Sequence, residues 1–427
     1  MLRTQLEASC ATQFCIRRGY ELDMNSQRLK AKWILPVDRP PIENGLVEFV
    51  DGVITTVRVA DRHESATDLG DVVILPGLVN AHAHLEFSLV EQPFQPPRPF
   101  TDWIRALVAY RRREFTATSQ RLPQALSAGA LAAVSSGTTL LGEIATTGWK
   151  EVAATTRSPR IVAFRELIGL RPESEKHQLE LAEEWLTRNG RSAKVTYGLS
   201  PHAPYSVAPE LLRRTVDLAK QFNVSLAMHL AETRDELEFL ADGCGPFVEL
   251  LQSFGAWPEE GLPTGRRPLD ILRILADSPR ALIVHGNYLA DDEIEFLAAR
   301  PQMTVVYCPR THEFFGHEPH PWRQLLAKGA TVALGTDGRG SNPDLSLWNE
   351  LVFLRERFPD VAPSRLLELG TRAGARALGR EDDCGTITPG KRADLVAVSL
   401  SAGGDPLEVL LTADSKIAWT TCGGKVG

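Results

Sequence analysis

Cysteine is scarce and scattered in this chain: six in 427 residues, at positions 10, 15, 244, 308, 384 and 422, with no C-x-x-C pair among them. That spacing excludes a disulfide framework and a zinc-finger pattern, and it suits a reducing cytoplasm. Long hydrophobic runs are lacking too. None approaches the ~18 residues of a membrane span, and Arg17, Arg18, Glu21 and Asp23 interrupt the apolar core a signal peptide would need. Positive charge is in deficit, with 47 Lys plus Arg against 54 Asp plus Glu and a net charge of −7. No basic stripe therefore offers the counterion-releasing surface of a nucleic-acid binder. The one basic triplet, Arg111 to Arg113, reads as the solvated end of a helix, where cations complement the macrodipole.

What remains is an ordinary globular composition, 43% hydrophobic and 24% charged, on a chain too long for one average domain. Residues 1–28 read as a loosely held extension, with Met24 an alternative start. From Ala31 to Leu75 the text runs as short strands with turn signals, including Gly45–Val50 and Gly52–Val57 around an Asp51-Gly52 turn. The C-terminus repeats that texture at Ala393–Val398 and Ile417–Thr420, with a tight turn at Pro389-Gly390-Lys391. The middle alternates helical periodicity with apolar runs: Val72–Leu75, Thr138–Glu143, Ile161–Glu166, Lys194–Leu199, Ser225–His229, Leu282–His285, Thr304–Cys308 and Thr331–Gly335. Continuous apolar strands separated by helices indicate a closed parallel barrel buried on both faces. The expected fold is α/β, a (β/α)8 TIM-like barrel over 76–384, with a small discontinuous β-sandwich domain formed by the two chain ends, 29–75 plus 385–427.

In such barrels the chemistry sits at the C-terminal ends of the strands. Five apolar runs lead there into titratable groups: His82 with His84, His202, His229 with Glu232, His285, and Asp337. Burying so many polar groups at one rim is costly unless a cation or a hydrogen-bond network compensates them. His82 and His84 are two residues apart, so on an extended segment both point to one side, about 6–7 Å apart. With His229 and Asp337 they make three nitrogens and one oxygen, a set for one divalent metal ion, Zn²⁺ foremost, with Fe²⁺ or Mn²⁺ also suited. Such an ion lowers the pKa of water from ~15.7 toward ~7 and so supplies a nucleophile. Glu232 reads either as a proton carrier over the same mouth or as the acidic first turn of a helix. His285 reads as a hydrogen-bonding partner of the nucleophile and the tetrahedral centre, with a metal ligand or a core histidine as the alternatives.

These residues resemble the amidohydrolase superfamily over nearly the whole chain. Pro76 through His84 is similar to its first-strand signature, Met228 through Thr233 and Gly335 through Gly338 with Ser341-Asn342 to those of strands five and eight, and Gly385 through Leu395 to the segment leading back into its β-sandwich. The His229-Leu230-Ala231-Glu232 form, and Tyr197 through His202 where a lysine would end the fourth strand, are similar to the mononuclear deaminase and chlorohydrolase group. The resemblance implies His82, His84, His229 and Asp337 as metal ligands, Glu232 as proton shuttle, and His285 with Asp337 orienting and deprotonating the water. It implies hydrolytic loss of ammonia from an amino-substituted heterocycle or purine nucleoside-like small molecule. Ser200 through Ser206 is similar to the loop whose histidine faces substrate in aminofutalosine-type deaminases, which makes His202 the leading substrate residue. Asn80 through Ser88 leans the same way, with Glu86 a substrate contact.

The chain departs from that group at Tyr307 through His312, where Cys-Pro-x-Ser-Asn is usual, so that His312 stands in place of an asparagine. Arg310 then becomes a candidate anion or carbonyl clamp, and His312, His317 and His320 raise the alternative of a second metal cluster on an irregular loop. Phe100 through Ile104 reads as a helix start with Thr101 as N-cap, with Trp103 either an aromatic wall over the site or packing. Glu143 and Glu166 read as a rim salt bridge with Arg165 or as substrate contacts. The same site chemistry also serves a chlorohydrolase or a cyclic amide hydrolase, and a catalytically silent barrel acting as a binding module is the alternative of another class. The partner expected is a small heterocycle, with neither nucleic acid nor membrane, and a homo-oligomer is compatible with the sequence.

Overall fold

The computed structural model describes residues 26–116, 118–150, 158–188, 194–400 and 404–426. The expected N-terminal extension lies outside the described residues up to position 25, and its last three residues already belong to the first strand. The N-terminal part contributes β1 (Ser26–Ile34), β2 (Ile42–Val50), β3 (Val53–Val59), β4 (Thr67–Asp68) and β5 (Val72–Pro76). The middle contributes β6 (Leu78–His84), β7 (Thr138–Ala145), β8 (Arg160–Leu167), β9 (Val195–Pro201), β10 (Leu226–Leu230), β11 (Ala281–His285), β12 (Met303–Tyr307), β13 (Thr331–Leu334) and β14 (Asp337–Gly338). The C-terminal part adds β15 (Leu395–Ser399), β16 (Lys416–Cys422) and β17 (Lys425–Val426). No described helix is long and apolar enough to cross a membrane.

Both chain ends build one mixed sheet in the order β17-β16-β15-β5-β1-β2-β3, with β4 beside β1. The β2–β3 hairpin turns at Asp51 and Gly52, whose φ values of 50° and 76° match the mirror-image turn that follows strand twist. Its core includes Ile34, Phe49, Ile74, Leu395 and Trp419.

The central strands run β13-β12-β11-β10-β9-β8-β7-β6-β14, all parallel. Because β13 pairs with β12 while β14, two residues farther along the same chain path, pairs with β6, the sheet closes into a TIM-like barrel. Asn80 fastens that closure: its Nδ2 donates to Thr336 Oγ1 at 2.7 Å, and its Oδ1 accepts from the Thr336 amide at 3.2 Å. Side-chain alternation sorts the layers. In β10, Leu226, Met228 and Leu230 join the outer core with Leu211, Leu272 and Ile283, whereas Ala227 joins Val162, Leu282 and Val306 in another cluster on the interior face. His229 shares the parity of Ala227 and so arrives at the mouth of the barrel.

Two expectations about local structure are corrected. Val72–Leu75 is not the first barrel strand; β5 pairs antiparallel with β15 and parallel with β1, and the barrel begins at Leu78. The two apolar strands are separated only by Gly77, where a Cβ would lie 2.1 Å from Thr139 Oγ1, so the chain passes between sheets at a residue that must lack a side chain. Thr101 is not the N-cap either, since the helix Phe100–Glu114 begins one residue earlier, after Pro99.

The barrel and the terminal sheet are tied by Arg160, whose guanidinium donates to Asp394 at 2.8 Å and to Asp383 at 3.0 Å, with Arg160 and Asp394 both buried. Removing one partner of such a pair strands the other in a poorly solvated place. Arg160→Ala is expected to cost about 3 kcal/mol, read as a lower urea midpoint at unchanged m-value.

Candidate active site

Strand β6 delivers His82 and His84 on one side, with ring centroids 4.9 Å apart, and β10 brings His229 to 5.0 Å from His82. One ring nitrogen of each lies within 4.8 Å of the others, and all three residues are buried. Asp337 Oδ1 sits 3.5 Å from Nε2 of both His82 and His84. Burial pulls His84 and His229 well below the ordinary imidazole value, the neighbouring His82 adding to it, so both are neutral at physiological pH, the form that can donate to a cation. Burial works to raise the Asp337 carboxyl, but the His82 ring 3.5 Å away and the surrounding imidazoles outweigh it and hold it well below the usual carboxylate range. His82 Nε2 is buried without a hydrogen-bond partner among the described residues, as expected of an atom whose partner is a cation. The donor set therefore fits one divalent metal ion.

These side chains are held from behind. His229 Nδ1 lies 3.0 Å from the His202 carbonyl, which fixes the tautomer that leaves Nε2 free. Ser341 Oγ donates to Asp337 Oδ2 at 2.7 Å, so that Oδ1 is the oxygen left facing the histidines. Asn80 Oδ1 also accepts from the His82 amide at 3.3 Å.

Glu232 and His285 complete the mouth, with Glu232 Oε1 3.3 Å from His285 Nε2. Burial, reinforced by the charges of Asp337 and Glu236, pushes the Glu232 carboxyl well above its ordinary range, toward the protonated form. Burial likewise pulls His285 well down, against the Asp337 charge. Three of these strand ends share a costly backbone: Ala231, His285 and Asp337 have φ of 54°, 68° and 57°. Left-handed conformations outside glycine cost about 1–3 kcal/mol each and persist only where the surroundings over-determine them. At His285 the reversal has a clear use. By alternation it would follow Ala281 and Ile283 to the outer layer, whereas its ring stacks on His229 at 5.5 Å.

The supports for that strain are visible. Glu236 accepts from the amides of Ala231 at 2.8 Å and Glu232 at 2.9 Å, and Asn287 Nδ2 donates to the Glu232 carbonyl at 2.9 Å. His320 Nε2 lies 2.8 Å from the His285 carbonyl. Neither Glu236 nor His320 was expected in this role. The Thr233-x-x-Glu236 capping spacing was the available signal for the first, but its carboxylate reaches past the cap to the turn before it. Glu236→Ala would leave two buried amides without acceptors and is expected to cost roughly 2–4 kcal/mol by urea unfolding.

A cavity of about 210 Å³ opens from this cluster, with His84, His202, His229, Glu232, His285 and Asp337 in its inner wall. His202 is 5.0 Å from the His229 ring and 2.6 Å from Ser206 Oγ, and burial with the Arg111 charge lowers it to about 3. Trp103 lines the outer wall, its Nε1 donating to the Gly340 carbonyl at 2.9 Å.

Three residues expected to meet substrate are committed elsewhere. Glu86 binds Arg111 at 2.5 Å and is not among the walls; its partner, expected as a solvated helix end, turns inward and lines the cavity instead. Arg310 is spent on Asp344 at 2.6 Å and Glu350 at 2.8 Å. His312 Nε2 lies 2.8 Å from the Glu318 carbonyl, and neither it nor Arg310 borders the cavity. The alternative of a metal cluster at His312, His317 and His320 fails for the same reason: His317 Nδ1 lies 3.1 Å from Tyr288 Oη, and among the described residues only His82, His84 and His229 converge as ligands. Glu143 accepts from the Leu85 amide, and Glu166 lies 3.8 Å from Arg111 rather than bridging to Arg165.

Against known proteins, the model of the amidohydrolase family matches residues 73–427. A 5-methylthioadenosine/S-adenosylhomocysteine deaminase of Moorella thermoacetica is 30% identical over 389 residues, spanning 86% of this chain and 84% of the relative. Among solved structures, Helicobacter pylori aminofutalosine deaminase superposes with a TM-score of 0.78 at 23% identity, over 94% of this chain and 100% of its own. An adenosine deaminase from Xanthomonas campestris with bound zinc gives 0.75 at 24%, over 94% and 92%. At those identities the two structures speak for the shared fold.

Proposed function

The chain belongs to the amidohydrolase family, and from that premise we propose that it is a zinc-dependent aminohydrolase that removes ammonia from an adenine nucleoside or a related amino-substituted heterocycle. The observation that carries the proposal is the pairing of the donor set His82, His84, His229 and Asp337 with a carboxyl, Glu232, whose surroundings favour protonation at the same mouth. A divalent cation held by those four side chains supplies Lewis-acid chemistry that activates water near neutral pH. The names of the relatives, a deaminase of adenine nucleosides among them, support the substrate class.

The work of the chain's own residues follows from their chemistry. Asp337, ionised and oriented by Ser341, takes the proton of the attacking water. His285 donates a hydrogen bond to the oxygen that forms on the attacked ring carbon. Glu232 delivers a proton to the amino nitrogen, so that the C–N bond breaks with ammonia as the leaving group rather than amide ion. Water adds its oxygen to the carbon: one of its protons goes to Asp337 and makes good the one Glu232 gives up, the other ends on the ring nitrogen that takes up the displaced electron pair, and the ring keeps the oxygen as a carbonyl. His202, neutral and beside His229, hydrogen-bonds the substrate ring.

The same reading takes 29–75 with 385–427 as a β-sandwich domain and 76–384 as the metal-dependent barrel, which the mixed sheet shared by the two chain ends supports. Ammonia release from a panel of adenine nucleosides, aminofutalosine-like compounds, guanine, cytosine and triazines tests the function. Release from at least one adenine nucleoside is the expected result. Release from none of the panel by protein holding a full equivalent of zinc would overturn it.

A further inference from the structure

Three histidines on the loop after β12 take no part in the chemistry above: His312, His317 and His320. Each gives one ring nitrogen to a partner, and the partners differ in kind. His312 Nε2 lies 2.8 Å from the Glu318 carbonyl within the loop, and His317 Nδ1 lies 3.1 Å from Tyr288 Oη, on the turn after β11. Of the three, His320 alone reaches a residue at the mouth, with Nε2 2.8 Å from the His285 carbonyl. A carbonyl oxygen only accepts, so Nε2 carries the proton and donates. Nδ1 is then a bare acceptor, buried without a hydrogen-bond partner among the described residues.

That stranded nitrogen says what the position needs. The His320 ring stacks on Tyr307 with centroids 3.9 Å apart, a packing duty that an apolar side chain would perform with no polar atom left over. What such a side chain would lack is the Nε2 proton. The loop presents that proton from a restrained backbone, because His320 stands between Pro319 and Pro321 and a residue before proline is held to extended conformations. Arg234 and Glu318 tie the same loop to the turn after β10 at 2.6 Å, but both are exposed, and exposed pairs contribute little. The buried contact of His320 is the one that bears on His285.

Its acceptor belongs to a residue whose φ is 68°, the reversal that turns the His285 ring toward the mouth, where Nε2 lies 3.3 Å from Glu232 Oε1. The next residue, Gly286, has a φ of 65° and no Cβ, so the joint beside the reversal is soft. The peptide between the two is pinned at both ends: the Gly286 amide donates to the Leu230 carbonyl at 3.0 Å, and the His285 oxygen accepts from His320. We infer that His320 is a positioning residue for the reaction, whose donation to the His285 carbonyl keeps the His285 ring beside Glu232 and His229. The inference rests on the hydrogen-bonding part given to His285 above.

The test sets His320→Gln beside His320→Met on the zinc-loaded full chain, with an adenine nucleoside that the parent protein deaminates. Both side chains are unbranched, similar in size and without the ring. Gln places its amide nitrogen as many bonds from Cα as Nε2 and keeps a donor, whereas Met has none. Met is expected to lower kcat by about 100-fold, the scale of a misplaced reacting group, with KM little changed, and Gln to recover most of that loss. Zinc should stay near one equivalent, and the urea midpoints of the two variants should agree. In a His285→Ala background the Met substitution is expected to cost nothing further, since nothing is left to position. Equal losses in Gln and Met, a Met loss that follows lost zinc or a lowered midpoint, or one that persists in full without the His285 ring overturns the inference and leaves the aminohydrolase reading standing. His285→Ala at the parental kcat overturns the part given to His285 and the inference with it. No ammonia from any adenine nucleoside with the zinc-loaded parent overturns the whole reading.

Discussion

Glu232→Gln is expected to keep its metal and lose deamination by about 10²- to 10⁴-fold, the usual worth of a positioned proton carrier. The amide is nearly isosteric, so the hydrogen bonds that Glu236 accepts and Asn287 donates, which involve only the main chain of residues 231 and 232, are untouched. What goes is the transferable proton. The loss should appear in kcat more than in KM, because delivery to nitrogen is an event of the transition state. A substrate with chloride in place of the amino group needs no proton on departure, so the same variant should retain more activity toward it. Equal losses on both would assign Glu232 to holding the site together. Metal content measured beside the kinetics separates the two cases.

His82→Ala is expected to empty the centre. His82 exposes only 1% of its surface, has its ring centroid 4.9 and 5.0 Å from those of His84 and His229, and lies 3.5 Å from Asp337. Losing one nitrogen of four donors leaves a cleft that holds a divalent ion poorly, and activity should fall by roughly 10³-fold or more, since a Lewis acid contributes several kcal/mol. Elemental analysis should give well under one equivalent of zinc, with added zinc restoring little. Folding should survive, because the Asn80 link to Thr336 closes the barrel independently of His82's side chain. Circular dichroism and the urea midpoint check that point.

What could be read from the chain alone follows from how local each signal is. His82 with His84, His229 and Asp337 were legible because each ends an apolar run, and strand geometry sends such ends to one rim. The barrel was legible for the same reason, yet its first strand was not. Val72–Pro76 and Leu78–His84 are both buried throughout and both open on apolar residues, and only hydrogen bonding to β15 and β1 assigns the former to the terminal sheet. Charges were the least legible. Arg111 looked like a solvated helix end, but its partner Glu86 is 25 positions away and Glu166 comes from another strand. Arg310 looked free for substrate until the fold brought Asp344 and Glu350 around it. Backbone strain at Ala231 left no trace in composition, since alanine is not a residue that such φ values favour, and at Asp337 and His285, whose types do visit that region, the chemistry of the side chains drew the attention instead.

Ammonia release is expected to depend on a divalent ion held by His82, His84, His229 and Asp337. Stripping the protein with a chelator and titrating zinc back while following ammonia from an adenine nucleoside tests it most directly. Activity is expected to be lost on stripping and recovered in proportion to zinc, saturating near one equivalent per chain. Ammonia release that survives complete removal of the metal would contradict it.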